Sequence, residues 1–301
     1  MTGVAPEFTI LLARQRTGTN ALRSVLDTHR DICCFDEVFK LEDRQSPDPR
    51  VRASNYFTFL ERHCAGDITR AFPDRHAELF TAFLAHLRTL TAKRHIVIDV
   101  KYNSTHHITG EWRSLGSPTL FDLIRSHGVG VIQLTRHNLL RCLLSTIKGR
   151  TTGRYYVRDN AAPPPDLRVT VPIDAALATM EHWAFEDDVV AGSFADWPRY
   201  TRLEYSELFP DRSGAMSAQA LAGLARWFGV EPAFTNRVTL SKQSSLPLAS
   251  TIANFDEVRA ALQDTRFAWF LDDEPAYRQP AAGVVAGPAA APGPTPIAAA
   301  R

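Results

Sequence analysis

Three short apolar runs constrain the fold of this chain most strongly: Phe8–Ala13 (FTILLA), His95–Val100 (HIVIDV) and Val129–Thr135 (VGVIQLT). Each is too short for a buried helix and lacks the strict alternation of a half-exposed strand. Each therefore reads as a strand covered on both faces. Tyr200–Glu204 reads as a further short strand. Helical patterns fill the gaps. Thr19–His29 carries Ala21, Leu22, Val25 and Leu26 at helical spacing, with Thr19 or Asn20 as N-cap. Asn138–Arg150 gathers Leu139, Leu140, Leu143, Leu144 and Ile147 on one side. Asp174–Val190 is predicted as a long helix capped by Asp174, and Ser217–Phe228 as one closed by Gly229. In Asn254–Leu262, Asn254 and Glu257 stand at capping-box spacing. Strands separated by helices predict an α/β fold, a central parallel sheet flanked by helices in one three-layer αβα domain with right-handed crossovers.

Composition narrows the functions open to such a fold. The charges nearly cancel, 34 Lys and Arg against 33 Asp and Glu, so the net charge is +1. No nucleic-acid partner is expected, and any anion site must be built locally. No stretch approaches the ~18 apolar residues of a membrane span. Met1–Phe8 has neither the basic nor the apolar region of a secretory leader. Cys33, Cys34, Cys64 and Cys142 form no C-x-x-C pair, so a reducing, cytoplasmic setting is expected. The ten histidines show no zinc spacing, and no metal site is expected. From about Gln279 the chain is a Pro/Ala/Gly tail with little to pack. The reading is a domain over 1–278 and a disordered tail over 279–301. Ala161–Pro165 reads as a surface loop.

The most informative segment is Arg14-Gln15-Arg16-Thr17-Gly18-Thr19-Asn20, which joins the first strand to the first helix. Gly18 permits a tight turn, and the helix start offers unpaired N–H groups at a positive dipole end. Arg14 and Arg16 add charge, and Thr17, Thr19 and Asn20 add short donors. The result is a cradle of phosphate or sulfate size. It lacks the G-x-x-x-x-G-K-[ST] spacing and the lysine of a Walker A loop. Leu134-Thr135-Arg136-His137-Asn138 repeats the design at the next strand end. On the helix that follows, Arg141, Ser145 and Lys148 share a polar face, and Arg136 with Ser145 could hold one phosphate. Two such junctions predict a ligand with two separated anionic groups. The bland counterpart is a pair of ordinary turns with surface arginines and a solvated helix face.

These residues resemble a known family, the sulfotransferases that use 3′-phosphoadenosine-5′-phosphosulfate (PAPS). The likeness covers most of residues 8–274. It is closest to bacterial members that sulfate glycolipids, Nod-type and trehalose-type saccharides and other small hydroxyl acceptors. Five segments carry it, in the family's order. Arg14-x-Arg16-Thr17-Gly18-Thr19-Asn20 resembles the 5′-phosphosulfate loop. Leu134-Thr135-Arg136 through Ser145 resembles the 3′-phosphate motif, with an Arg-to-Ser spacing of nine where cytosolic animal members have eight. Leu203-Glu204-Tyr205-Ser206-Glu207-Leu208 is similar to a late strand–helix junction, and Ala225-Arg226-Trp227-Phe228-Gly229-Val230 to a helix end. Ser241-Lys242-Gln243-Ser244 resembles the loop that closes over the nucleotide.

The resemblance implies a P-loop-like fold and transfer of a sulfuryl group from PAPS to a hydroxyl of a small-molecule or glycan acceptor, without metal. Arg14, Gln15, Arg16, Thr17, Gly18, Thr19, Asn20, Arg136, Ser145, Lys242 and Gln243 would then hold the nucleotide. Arg16, where the family places its loop lysine, would clamp charge on the leaving oxygen, and its loss would cost on the order of 10²–10³ in rate. Glu37 matches the glutamate that the bacterial branch sets after the first helix. Flanking Phe35, Val38 and Phe39 would raise its pKa toward that of a useful base. His106 or His107 is the second candidate for that base. Lys101, at a strand end, is expected to face the sulfate, because a lysine in an apolar run needs an anionic partner. Tyr155, Tyr156 and Trp183 could line an acceptor cleft. A Mg²⁺-dependent nucleotide or small-molecule kinase is the alternative enzyme, and a silent binding module the non-enzymatic one. The sequence leaves the oligomeric state open, a homodimer included.

Overall fold

The computed structural model describes residues 5–64, 72–109, 117–153, 157–158, 167–211, 214–236, 240–241 and 246–272. Five strands build the main sheet: β1 (Phe8–Ala13), β2 (Ile32–Phe35), β3 (His95–Lys101), β4 (Gly130–Thr135) and, after the two-residue β5 (Val157–Arg158), β6 (Tyr200–Glu204). Their order is β2-β3-β1-β4-β6, with every neighbouring pair parallel. β5 pairs instead with β7 (Leu240–Ser241) in a small antiparallel ribbon. The α/β class expected from the alternating pattern is the observed one.

Side chains of β1 alternate between two apolar layers. Ile10 and Leu12 join one core with α3 (Tyr56–His63), α4 (His76–Thr89), α5 (Thr119–Ser126) and the end of α7 (Ile173–Phe194). Leu11 and Ala13 join the other with α1 (Thr19–Leu26) and α9 (Ala218–Phe228). This double burial is why the strand runs are continuously apolar. A third cluster forms where α6 (Leu139–Thr152) meets α7, α11 (Phe255–Leu262) and the turn Ala268–Leu271. From β1 the chain leaves toward β2, and from β4 toward β6, so β1 and β4 flank the switch point where open sheets bind ligands.

Several local expectations are corrected. The N-cap position of α1 is Gly18, in the left-handed region, and neither Thr19 nor Asn20 caps the helix. Asp174 lies inside the first turn of α7, and Pro172 holds the cap position. Asn254 makes no side-chain cap bond to α11. It clips instead onto Val171, accepting from its N–H at 2.9 Å and donating to its carbonyl at 2.9 Å. β2 and the helices over 49–89 were not anticipated: β2 is only four residues long, and its apolar letters are two cysteines, Ile32 and Phe35. Tail residues 279–301 and Ala161–Pro165 lie outside the described residues.

Candidate active site

The strand register brings the expected residues to one edge. Ala13 is level with Lys101 on one side and Leu134 on the other, and Thr135 is level with Glu204. The loops after β1, β2 and β4 therefore open at the same end of the sheet.

The first loop is tightly wound. Arg16 adopts φ 70°, the one positive φ at a non-glycine among the described residues, and Gly18 adopts φ 100°. A non-glycine held there costs of order 1–3 kcal/mol and marks a place the surroundings over-determine. Gly18 is required twice over. Its φ suits glycine, and a Cβ would stand 2.4 Å from the Tyr205 ring. The Gly18 carbonyl accepts the amides of Ala21 and Leu22, which starts α1. The first amides of a helix have no partner within it, so the start of α1 offers backbone N–H groups beside the loop. Thr17 is fully buried and donates its hydroxyl to the Arg14 carbonyl at 2.8 Å. Gln15 is exposed at the tip, and Asn20 accepts from Arg23 at 2.5 Å.

Arg16 reaches across to the second loop, donating to the Ser145 hydroxyl from Nε at 3.0 Å and from a terminal nitrogen at 2.8 Å. Cys142, one turn earlier on α6, packs its thiol against the Arg16 carbonyl at 3.8 Å. The face of Arg141, Ser145 and Lys148 is not a solvated one: Arg141 and Lys148 are buried. Arg136 lies over the Tyr205 ring, 4.9 Å from its centroid, so Tyr205 is sandwiched between the two loops. Glu204 anchors the second loop. Its carboxylate accepts the His137 backbone N–H at 2.9 Å and the Thr135 hydroxyl at 3.0 Å, and burial pushes its pKa up. Asn138 caps α6 through the Arg141 amide at 3.0 Å.

Arg14 is placed elsewhere than expected. Its guanidinium turns to α7, where it pairs with Asp187 at 3.1 Å and Glu186 at 3.4 Å and donates to the Trp183 carbonyl. It also lies over the Trp183 ring, so this tryptophan serves the loop's anchor rather than an observed cleft. The reason is strand alternation: Arg14 follows Ala13, and its side chain falls on the opposite face from the cradle.

Lys101 and Glu37 come together beside the first loop. Lys101 is 3% exposed and donates to the Asp99 carboxylate at 2.7 Å and to the Thr19 hydroxyl at 2.5 Å. The Glu37 Oε1 lies 3.8 Å from Lys101 Nζ. Arg23 of α1 pairs with Asp99 at 3.1 Å and Asp36 at 2.6 Å. Oxygens of Asp36, Glu37 and Asp99 lie within 4.8 Å of one another. Burial, above all, holds the Glu37 carboxyl above its ordinary range. Asp99 and Asp36 push the same way, and Lys101 partly offsets them.

His107 donates from its Nδ1 to the Phe39 carbonyl at 2.6 Å, on the segment that carries Glu37. The His106 ring meets it edge-on at 4.4 Å, and burial followed by His107 lowers the His106 pKa. Lys242, Gln243, Tyr155 and Tyr156 lie outside the described residues. Sequence reasoning missed Asp99 and Asp187, and it marked Tyr205 only as part of the Leu203–Leu208 segment, with no role of its own. A lone acid inside the apolar run HIVIDVK, two residues before a lysine on the same strand face, was the available signal for Asp99.

The fold and this edge define an α/β protein with two arginine-bearing strand–helix loops side by side at a sheet switch point. No family model matches the chain. It is 29% identical over 281 residues to nodulation protein H of Rhizobium tropici, covering 89% of this chain and 95% of that protein. A nodulation protein H of Rhizobium meliloti is 26% identical, with 87% and 94% covered. Among solved structures, a sulfotransferase of Alicyclobacillus acidocaldarius aligns over 87% of this chain and 95% of that one, at 12% identity and a TM-score of 0.42. Over most of its length the chain is thus similar to Nod-type sulfotransferases. Among the described residues, no helix is long and apolar enough to cross a membrane.

Proposed function

We propose that this protein transfers a sulfuryl group from PAPS to a hydroxyl of a carbohydrate, glycolipid or other small acceptor. The carrying observation is the pair of hydrogen bonds from Arg16 to Ser145, which ties together the two loops that the sequence marks as anion sites. Two loops joined in this way suit a donor with anionic groups at both ends of a nucleoside. The bare backbone at Gly18, where a side chain would strike Tyr205, fits close approach of one of those groups. Arg16, Thr17, Gly18, Thr19 and the first amides of α1 would hold the phosphosulfate. Arg136 and Ser145 would hold the distal phosphate.

Bound there, the donor supplies the activated sulfuryl group. Glu37 takes the proton of the acceptor hydroxyl as the new oxygen–sulfur bond forms and the bond to the leaving phosphate breaks. Its raised pKa makes the carboxylate a stronger base than an exposed glutamate. Arg16 and Lys101 stand where charge develops on the leaving oxygen, which is electrostatic stabilisation from groups already oriented. The acceptor approaches from the side of β2 and β3, where Glu37 and Asp36 remain partly exposed.

A thermal-shift series tests the reading. 3′,5′-Adenosine bisphosphate should stabilise the protein without Mg²⁺, by about 2.7 kcal/mol at a hundredfold excess over its Kd. Stabilisation by Mg²⁺–ATP alone would sink the proposal in favour of a kinase. Incubation with labelled PAPS and candidate saccharides, followed by mass detection of one added SO₃, identifies the acceptor.

A further inference from the structure

The Glu37 side chain has a neighbour of opposite charge that does not touch it. Lys101 Nζ is 3.8 Å from Glu37 Oε1, beyond hydrogen-bond reach. The lysine is not short of freedom to close that gap, since its stem carries four methylenes. It is held back by two shorter contacts, to Asp99 Oδ1 at 2.7 Å and Thr19 Oγ1 at 2.5 Å. Asp99 is fully buried and is itself fixed by Arg23 at 3.1 Å.

Resting on the sulfotransferase reading above, we infer that Asp99 is the positioning residue of this site. It tethers Lys101 at a distance that leaves the Glu37 carboxylate free to accept the acceptor's proton. Lys101 then keeps its place beside the first loop, and its third N–H is not consumed by the base. Asp99 touches neither donor nor acceptor in this scheme and acts only through Lys101.

Lys101 and Asp99 face Glu37 from β3, Asp36 and Lys40 from its own segment, and Arg23 from α1 through its pairs with Asp36 and Asp99. His107 holds the same segment through the Phe39 carbonyl, with His106 against its ring. Asp99→Asn changes two of these influences in one direction. It removes a like charge near Glu37, and it releases Lys101 to pair with Glu37 directly. Both lower the Glu37 pKa.

The test is the titration of the Glu37 carboxyl in the free protein, read by ¹³C NMR of labelled glutamate and assigned by the signal missing in Glu37→Gln. In Asp99→Asn the midpoint should move to acid by about one pH unit or more, the effect of an opposite charge closing to contact. Transfer should then show its acid limb displaced to lower pH, with a lower plateau. An unmoved midpoint overturns the proposal, whatever happens to the rate. Should Asp99→Asn fail to fold, Thr19→Val removes the second tether of the same lysine and should move the midpoint the same way by less. No movement there also overturns it. Because the titration needs neither donor nor acceptor, a shifted midpoint in a protein that transfers no sulfuryl group would refute the function and leave the tether standing.

Discussion

Two clusters of charge sit on opposite faces of the same sheet, each built from one arginine or lysine of a strand end and a nearby carboxylate. On the α7 face, Arg14 and Asp187 close on each other, with side chains only 6% and 9% exposed. Each Asp187 oxygen is filled: one takes the Tyr102 hydroxyl at 3.0 Å and Arg14 at 3.1 Å, the other a second Arg14 nitrogen at 3.4 Å. Gln133 completes the set, donating to the Tyr102 oxygen at 2.9 Å and accepting from Tyr200. On the α1 face, Lys101 is as buried as Arg14, but the carboxylates beside it open outward, Glu37 at 23% and Asp36 at 41% exposure. In the closed cluster both oxygens of the carboxylate are engaged by the same cation. The open one has a carboxylate out of hydrogen-bond reach of its cation. A buried ion pair is thus weak testimony for a site, and incomplete pairing at a solvent-facing edge is the stronger one.

Substitution should separate the clusters by what fails. The largest expected effect is on the open side, where Glu37→Gln should lower transfer by about 10²–10⁴, the usual worth of a positioned general base. Binding of 3′,5′-adenosine bisphosphate should be kept. Turnover equal to the parent's would pass the base to His106 or His107 and reduce the open cluster to a structural one.

On the closed side, Arg14→Ala leaves Asp187 buried beside Tyr102 without its contacting cation, with Arg202 acting on it only through space. Breaking a buried pair in this way costs about 3–5 kcal/mol, which urea unfolding would register as a lower midpoint. Loss of nucleotide binding with unchanged stability would contradict the comparison, because it would put Arg14 in the cradle that the sequence suggested.

That last contrast shows how much was legible in the residues alone. The layer architecture was, because strand runs buried on both faces leave an unmistakable apolar signature. So were the positions of Arg16, Arg136 and Lys101, since strand ends are visible as the points where such runs stop. The direction of Arg14 was not separated from that of Arg16, although they lie two residues apart. Arg16 turns back only because its φ of 70° breaks the strand alternation. A positive φ at arginine has no sequence signal. Asp187 was missed, and Tyr205 was marked only as part of a segment, for a different reason: each meets the first loop from a distant part of the chain, and no local pattern encodes such a contact.

The smallest effect expected is also the most discriminating, because its sign depends on pH. Burial holds the Glu37 carboxyl above its ordinary value of 4.5. The folded state therefore binds that proton more tightly than the unfolded chain. The stability this confers is complete below the ordinary value and is lost as pH rises through the raised one. Above the raised value an ionised Glu37 is a burden on the fold. Glu37→Gln should accordingly raise Tm slightly at neutral pH, and the gain should vanish as the buffer is taken down toward the ordinary carboxyl range. Lys101 keeps Asp99 and Thr19 in the variant, so no buried cation is stranded. A fall in Tm at neutral pH would mean that the contact with Lys101 outweighs burial. Glu37 would then hold the fold as Asp187 does, and the distinction between the open and the closed cluster would fail at its centre.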